Sequence, residues 1–111
     1  MSFSVIPSDK FKKEAKRLAK KYASLKEELA ELNDTLANRP ETGTALGNDT
    51  YKIRFAIKSK GKGKSGGGRI ITYVVKDNNE VYLLTIYDKS EFDSVDDKTL
   101  KNIIQSMNLG D

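Results

Sequence analysis

The 111-residue sequence contains neither cysteine nor histidine. The lack of cysteine excludes disulfide bonds and thiolate metal sites. The lack of histidine removes the usual general base near neutral pH and the commonest nitrogen ligand for metals. Any catalysis by this chain must therefore use carboxylates, lysine, arginine, tyrosine or hydroxyl groups.

Long apolar stretches are absent as well. The first residues, MSFSVIPSDKFKK, hold no apolar run long enough for a signal peptide, and no later stretch approaches a membrane span. A chain of this length can bury a real core as one domain. The sequence therefore predicts a soluble cytoplasmic protein with a single domain over residues 1–111, no membrane association and no cofactor.

Positive charge is concentrated in one segment of the chain. Between Asp49 and Asp77 there are eight basic residues and no acidic one, and because the net charge of the whole chain is +4, the remainder sums to −4. Such a block raises the local concentration of phosphates and indicates a polyanionic partner. From charge alone, a solvated lysine loop is an equal alternative. The eight residues are Lys52, Arg54, Lys58, Lys60, Lys62, Lys64, Arg69 and Lys76.

The first forty residues predict a short strand followed by two helices. The strand ends at Pro7, and Ser8 can cap the helix that follows. Apolar residues then recur in alternating steps of four and three from residue 11 to residue 36, which fits either a coiled coil between chains or a helical hairpin packed on a sheet. The capping-box pattern from Ser24 to Glu27 favours the hairpin. The two helices are predicted at about residues 9–22 and 24–38.

A loop over residues 41–50 leads into three predicted strands and a last helix. The strand signals cover residues 51–58, 69–76 and 81–87, and a hairpin turn separates the last two. Ser94, with Asp97 three residues later, indicates the start of the last helix. The predicted fold is α+β, with an N-terminal strand and helical hairpin packed on an antiparallel β-meander, followed by a C-terminal helix.

Two motifs that the basic segment suggests do not fit. Gly63-Lys64-Ser65 matches the end of a phosphate-binding loop, but Lys58 stands where the first glycine belongs, and a strand follows instead of a helix. A glycine-rich dinucleotide-binding loop is excluded because such a loop opens a βαβ unit, whereas this one joins two antiparallel strands. Three acidic residues after the last predicted strand could bind a cation, although helix capping fits them better. These residues are Asp93, Asp96 and Asp97.

The alternation of the second strand directs Lys52 and Arg54 to one face of the predicted sheet. If this strand pairs with the next, Arg69 and Tyr73 join that face, and the loop lysines overhang it. Arginine forks and lysine point charges both suit a phosphodiester backbone. Crowded cations also depress the pKa of a lysine among them, which can then act as a base. A catalytic site and a nucleic-acid-binding patch without chemistry both fit these residues.

Three stretches of the sequence carry a family likeness. YKIRFAIK, KGKGKSGGGRIITYVV and VYLLTIYDKSE, in this order of elements, resemble the RelE/ParE superfamily of bacterial type II toxins, especially its HigB-like and RelE-like branches. The resemblance implies a RelE-like toxin domain that enters the ribosomal A site, cleaves mRNA without a metal and is held inactive by a cognate antitoxin. A ParE-like DNA gyrase inhibitor and a non-catalytic RNA- or ribosome-binding module are the alternatives.

The resemblance also assigns residues to roles. It implies that Lys52, Arg54 and Arg69 contact and activate the scissile phosphate. Ser90 stands near the position where RelE-like toxins carry an arginine, and no tyrosine follows Tyr87, so the general base is left open. The residues that could take its place are Lys58, Lys60, Lys62, Tyr87 and Lys89. For Tyr87 and Lys89, a strand-end hydrogen-bond network is an equal alternative. The expected catalytic residues are Lys52, Arg54, Arg69, Tyr87 and Lys89, and the expected RNA-binding residues are Lys58, Lys60, Lys62, Lys64 and Tyr73.

Overall fold

A computed structural model describes residues 2–109, and the order of its elements confirms the predicted α+β fold. The element bounds agree with the predicted ones to within a few residues, apart from one additional strand. The elements are β1 (Ser4–Pro7), α1 (Asp9–Lys21), α2 (Leu25–Asn38), β2 (Thr44–Gly47), β3 (Thr50–Phe55), β4 (Gly68–Val75), β5 (Glu80–Asp88) and α3 (Asp97–Ser106).

The five strands form one sheet in the order β1-β5-β4-β3-β2. Strands β3, β4 and β5 make the predicted antiparallel meander, and β1 pairs with β5 in parallel. Strand β2 corrects the prediction of a loop over residues 41–50, because Thr44 and Ala45 pair with β3 at the sheet edge. All four residues of β2 are exposed, so the strand is held by backbone pairing and leaves no pattern of buried side chains in the sequence.

The helical hairpin is confirmed, although two of the predicted caps are wrong. Ser8 caps α1 as expected, since its Oγ accepts the N–H of Phe11 at 3.0 Å. Ser24 makes no capping bond at the start of α2, and its Oγ lies 3.2 Å from Oε1 of Glu28. The cap of α3 is Asp96 and not Ser94, because the Asp96 carboxylate accepts the N–H of Thr99 at 2.8 Å.

The sheet separates two apolar clusters. One cluster joins α1 and α2 to the face that carries Ile53, Phe55 and Ile70. The other joins α3 to the opposite face, where Ile71 and Tyr87 lie. The helical hairpin therefore covers one face of the sheet, and α3 covers only the β4–β5 part of the other. None of the helices within residues 2–109 has the length and apolarity needed to cross a membrane.

Candidate functional site

Arg54 of β3 and Arg69 of β4 lie directly opposite each other in the sheet. Because Ile53 and Phe55 pack against the helical hairpin, the alternation of the strand turns Lys52 and Arg54 to the other face. Directly opposed residues of an antiparallel pair have Cβ atoms about 5 Å apart. The register therefore brings two guanidinium groups and one ammonium group to a small region of the face that α3 leaves open.

Strand β5 and the turn after it each add one side chain to this region. Tyr87 pairs with Arg69 on the side away from Arg54, and Lys89 follows Tyr87 by two residues. The Lys89 ammonium forms an ion pair with Asp93 at 2.9 Å. The Lys89 ammonium, and the more distant Lys52, lower the pKa of the Asp93 carboxyl, which places Lys52 near the same group. We call Lys52, Arg54, Arg69, Tyr87 and Lys89 the strand-end cluster.

Arg54 is exposed, and its guanidinium makes no hydrogen bond to the described part of the chain, whereas Arg69 is only 3% exposed. One terminal nitrogen of Arg69 donates to the carbonyl oxygens of Lys64 and Gly68, both at 2.9 Å, and the other donates to the carbonyl of Ser65 at 3.4 Å. Burial, and then the charge of Arg54, lower the pKa of the Arg69 guanidinium. A direct contact between Arg69 and a phosphate stays a prediction, because it requires the loop carbonyls to release the guanidinium.

Tyr87 is also buried, and its hydroxyl has no hydrogen-bond partner among residues 2–109. Its ring meets that of Phe92 edge to face, with the centroids 6.4 Å apart. Phe92 is 55% exposed, so an aromatic side chain stands at the surface beside the cluster. Sequence reasoning missed Phe92, although an aromatic residue inside the polar segment SEFDS is a signal that could have pointed to it.

The structure differs from the prediction that the loop lysines overhang the basic face. Lys58 and Lys64 line a shallow groove beside Glu28 and Thr35 of α2, on the side of the helical hairpin. The Lys60 side chain is 6% exposed and is engaged in an ion pair. The reason is that Ile57 is buried in the cluster beneath the hairpin, which draws the loop towards that side.

Lys62 and Tyr73 complete the set of expected RNA-binding residues. Lys62 is exposed in the loop. Tyr73 lies on the same face as Arg69 but four residues further along β4, about 13 Å away at the usual rise of a strand. It is half-buried and packs against the cluster under α3. Tyr73 therefore lies apart from the strand-end cluster.

Sequence reasoning missed Asp88, the last residue of β5, whose side chain is fully buried. Its Oδ1 accepts hydrogen bonds from the Lys60 ammonium at 2.5 Å and from the N–H and hydroxyl of Ser90. Its Oδ2 accepts the hydroxyl of Tyr22 at 2.5 Å. Burial opposes the charge of the carboxylate, but these donors outweigh it and hold the pKa of Asp88 well below its usual range. An acid that directly follows a long apolar strand is the sequence signal for such a buried group.

Gly67 lies where the loop returns against β3. A Cβ at this position would lie 2.1 Å from the carbonyl oxygen of Phe55, a backbone atom that cannot turn aside. We expect Gly67→Ala to lower the free energy of unfolding by about 1–3 kcal/mol in urea denaturation, the usual effect of overpacking. Ser65→Ala is the control, because Ser65 is an exposed residue of the same loop whose hydroxyl makes only a 3.4 Å hydrogen bond to the carbonyl of Lys62. Equal losses for the two variants would contradict a steric role for Gly67.

Two of the three acidic residues considered for a cation have other partners. Asp96 caps α3, and Asp93 pairs with Lys89. Within residues 2–109, no three acidic side chains come together as a possible metal site.

No protein-family profile matches the sequence. The fold is similar to a solved structure of the Escherichia coli toxin RelE, a double arginine-to-alanine variant in the free state. The TM-score is 0.64, the match covers 96% of this chain and 99% of that chain, and the sequences are 14% identical. At that identity the similarity shows the fold alone, and it confirms the RelE-like fold that the sequence predicts.

Proposed function

We propose that this chain is the toxin of a type II toxin–antitoxin system and cleaves mRNA on the ribosome without a metal ion. The RelE-like fold supports the assignment to a toxin. The observation that carries the proposed activity is the opposition of Arg54 and Arg69, with Lys52 and Lys89 beside them. The partners are a cognate antitoxin, the ribosome and mRNA, in the cytoplasm, and the proposed branch of the superfamily is the HigB-like or RelE-like one.

The proposed reaction needs no group that the chain lacks. The 2′-hydroxyl of the target nucleotide attacks the adjacent phosphorus and loses its proton, and the bond to the 5′ oxygen of the next nucleotide breaks. The products are a 2′,3′-cyclic phosphate and a 5′-hydroxyl that has gained a proton. Arg54 stabilises the charge that develops on the phosphoryl oxygens, which is often the largest single contribution to catalysis. Arg69 adds positive potential from just below the surface.

The proton transfers fall to the lysines of the strand-end cluster. Lys52 makes no side-chain hydrogen bond within the described residues, so its amine can approach the 2′-hydroxyl as base or the leaving oxygen as acid. Lys89 is held by Asp93 at 2.9 Å and is placed to assist on the other side of Arg69. Tyr87, whose hydroxyl is buried, supports the cluster from beneath.

One observation favours a second function, a ribosome- or RNA-binding module without chemistry. Arg69 and Tyr87 are each only 3% exposed, so two of the five expected catalytic side chains do not reach the surface in this conformation. Such a module binds RNA through Lys52, Arg54 and Lys89 alone. Its affinity would fall steeply with salt, because phosphate contacts release counterions, but the mRNA would stay intact.

Mapping of RNA 5′ ends after induction of the chain separates these functions. We expect new 5′-hydroxyl ends within translated mRNAs, and none when ribosomes are removed from a purified reaction. Intact mRNA with arrested translation would contradict cleavage and support the binding module. Intact mRNA with DNA replication stopped first would instead indicate a gyrase inhibitor. The gene adjacent to this one should encode a protein that restores growth when both are expressed.

A further inference from the structure

We propose that Asp88 is a positioning residue, which fixes the strand-end cluster from the opposite face of the sheet through a buried ion pair with Lys60. This inference rests on the proposed cleavage of RNA. In this proposal Lys60 holds the strand-end cluster in position and does not contact RNA. Three features of the structure support it: the segments that Asp88 joins, the path of the loop from Lys60 to Arg69, and the burial of both charges.

Asp88 ties the end of β5 and the turn after it to two segments that are distant in sequence. Tyr22 follows α1, Lys60 belongs to the loop between β3 and β4, and Ser90 belongs to the turn after β5. Tyr87 precedes Asp88 in β5 and is directed to the other face by the alternation of the strand, and Lys89 is the first residue of the turn that follows. The carboxylate therefore anchors the backbone between two residues of the strand-end cluster.

From Lys60 the loop continues to the other members of the cluster. The carbonyl oxygens of Lys64 and Ser65 accept the hydrogen bonds of the Arg69 guanidinium. The carbonyl of Gly67 accepts the backbone N–H of Lys89 at 3.0 Å. One end of the loop is thus fastened to Asp88, and the other end fixes Arg69 and the backbone of Lys89. If Lys60 is released, the loop keeps the hydrogen bonds of Lys58 to Glu28 and of Ser59 to Ser24, but it loses its side-chain tie to the end of β5.

A buried ion pair seldom stabilises a fold more than the alternatives at the same positions. Apolar side chains of similar volume are often as stable or more so, because charges lose their hydration on burial. A pair of charges does impose one geometry, since each group must face its partner. Lys60 is 6% exposed and Asp88 fully buried, and the ammonium also lies 5.5 Å from the centre of the Tyr22 ring. A fixed geometry matters in a catalytic site, because a displacement of about 1 Å can lower the rate about a hundredfold.

The test compares Lys60→Met with Lys76→Met in the full chain. Lys76→Met removes an ion pair with Glu41 that is exposed and belongs to the opposite end of the sheet. Single-turnover cleavage of mRNA on ribosomes is measured at several toxin concentrations. We expect Lys60→Met to lower the rate at saturation at least about tenfold and to change the half-saturating concentration less than about twofold. Lys60→Arg, which keeps the charge, should recover part of the rate, and Lys76→Met should match the original chain.

A second measurement does not depend on cleavage. The guanidinium protons of Arg69 are followed by nitrogen-15 NMR, and we expect slow exchange in the original chain and fast exchange in Lys60→Met. If Lys60→Met does not fold, Tyr22→Phe replaces it, since this change removes a single hydroxyl from the Asp88 carboxylate. Unchanged Arg69 exchange would overturn the positioning role, even in a chain that cleaves mRNA. Altered exchange in a chain that never cleaves would instead overturn the proposed function and leave the structural link standing.

Kinetics separate the positioning role of the ion pair from RNA contact by Lys60 and from a merely structural role. A rise in the half-saturating concentration with an unchanged saturated rate would show that Lys60 contacts RNA, as the sequence first suggests. An unchanged rate per folded molecule, with lower stability alone, would show that the ion pair is merely structural. Either result overturns the proposal.

Discussion

We expect the replacement of Arg54 with alanine to lower the rate of the proposed mRNA cleavage at least about a hundredfold, the usual effect of removing a group that stabilises transition-state charge. The change leaves the free energy of unfolding within about 0.5 kcal/mol, as for other surface substitutions. The physical reason is that the guanidinium is exposed and makes no hydrogen bond within residues 2–109, so its removal takes away charge and donors without disturbing a contact. Single-turnover cleavage and urea denaturation of the same preparation measure both quantities.

Arg39→Ala is the matched control for Arg54→Ala. Arg39 is an exposed arginine at the end of α2 that belongs to no part of the strand-end cluster. Its removal changes the net charge equally, so it reports the non-specific contribution of charge to RNA binding. Arg54→Lys keeps the charge and loses the planar fork, and we expect an intermediate rate. Equal losses for Arg39→Ala and Arg54→Ala, or full activity of Arg54→Ala, would show that Arg54 does not contact the scissile phosphate.

Arg69 is a less discriminating position for the same experiment. Its guanidinium makes three hydrogen bonds to backbone carbonyls, so Arg69→Ala removes a structural contact together with a charge. A buried acceptor left without a donor costs about 1–3 kcal/mol. Lost cleavage in that variant has two possible causes, whereas unchanged cleavage still excludes Arg69 as a catalytic group. Arg54→Ala is therefore a clearer test of the proposed activity than Arg69→Ala.

The local pattern of the chain was sufficient to predict most of the fold. The alternation in β3 and the β-branched run in β4 identified strands because one face of each is buried. The pattern around Ser24 placed the break between the helices correctly, although its hydroxyl bonds Glu28 and Ser59 instead of capping α2. Strand β2 was missed because no side chain of it is buried. A strand held only by backbone pairing leaves no periodic signal.

The sequence predicts the candidate site only where the pleat of a strand determines the face of the sheet on which a side chain lies. Lys52, Arg54 and Arg69 share a face because residues two apart on a strand, and directly paired residues on neighbouring strands, point the same way. Lys60 was misplaced because its direction depends on Asp88, 28 residues later in the chain. The burial of Arg69 likewise depends on how the glycine-rich loop folds back over it. Contacts of that kind come from tertiary packing, which local periodicity does not encode.

Removing one member of the Lys60–Asp88 pair lowers the free energy of unfolding by about 3–5 kcal/mol, because the other charge stays buried without its partner. Lys60→Met and Asp88→Asn are the single variants, and the double variant should recover most of the loss. The coupling free energy is the difference between the double variant and the sum of the single ones, measured by urea denaturation at pH 7. The exposed pair Lys76–Glu41, replaced in the same way, should show a much smaller coupling free energy, because both charges stay solvated. Additive losses at Lys60 and Asp88 would contradict a functional ion pair.

The Lys60–Asp88 pair also makes the free energy of unfolding depend on pH, with a loss of stability as the pH falls. The pKa of Asp88 is lower in the folded chain than its ordinary value of about 3.9, so the unfolded chain binds the proton first. The stabilisation is therefore fully present above about pH 5 and is lost as the pH falls through the unfolded and then the folded pKa. The difference in free energy of unfolding between the original chain and Asp88→Asn should accordingly narrow from about pH 5 to about pH 2. A difference that stays constant over this range would show that Asp88 stabilises the fold by its shape and not by its charge.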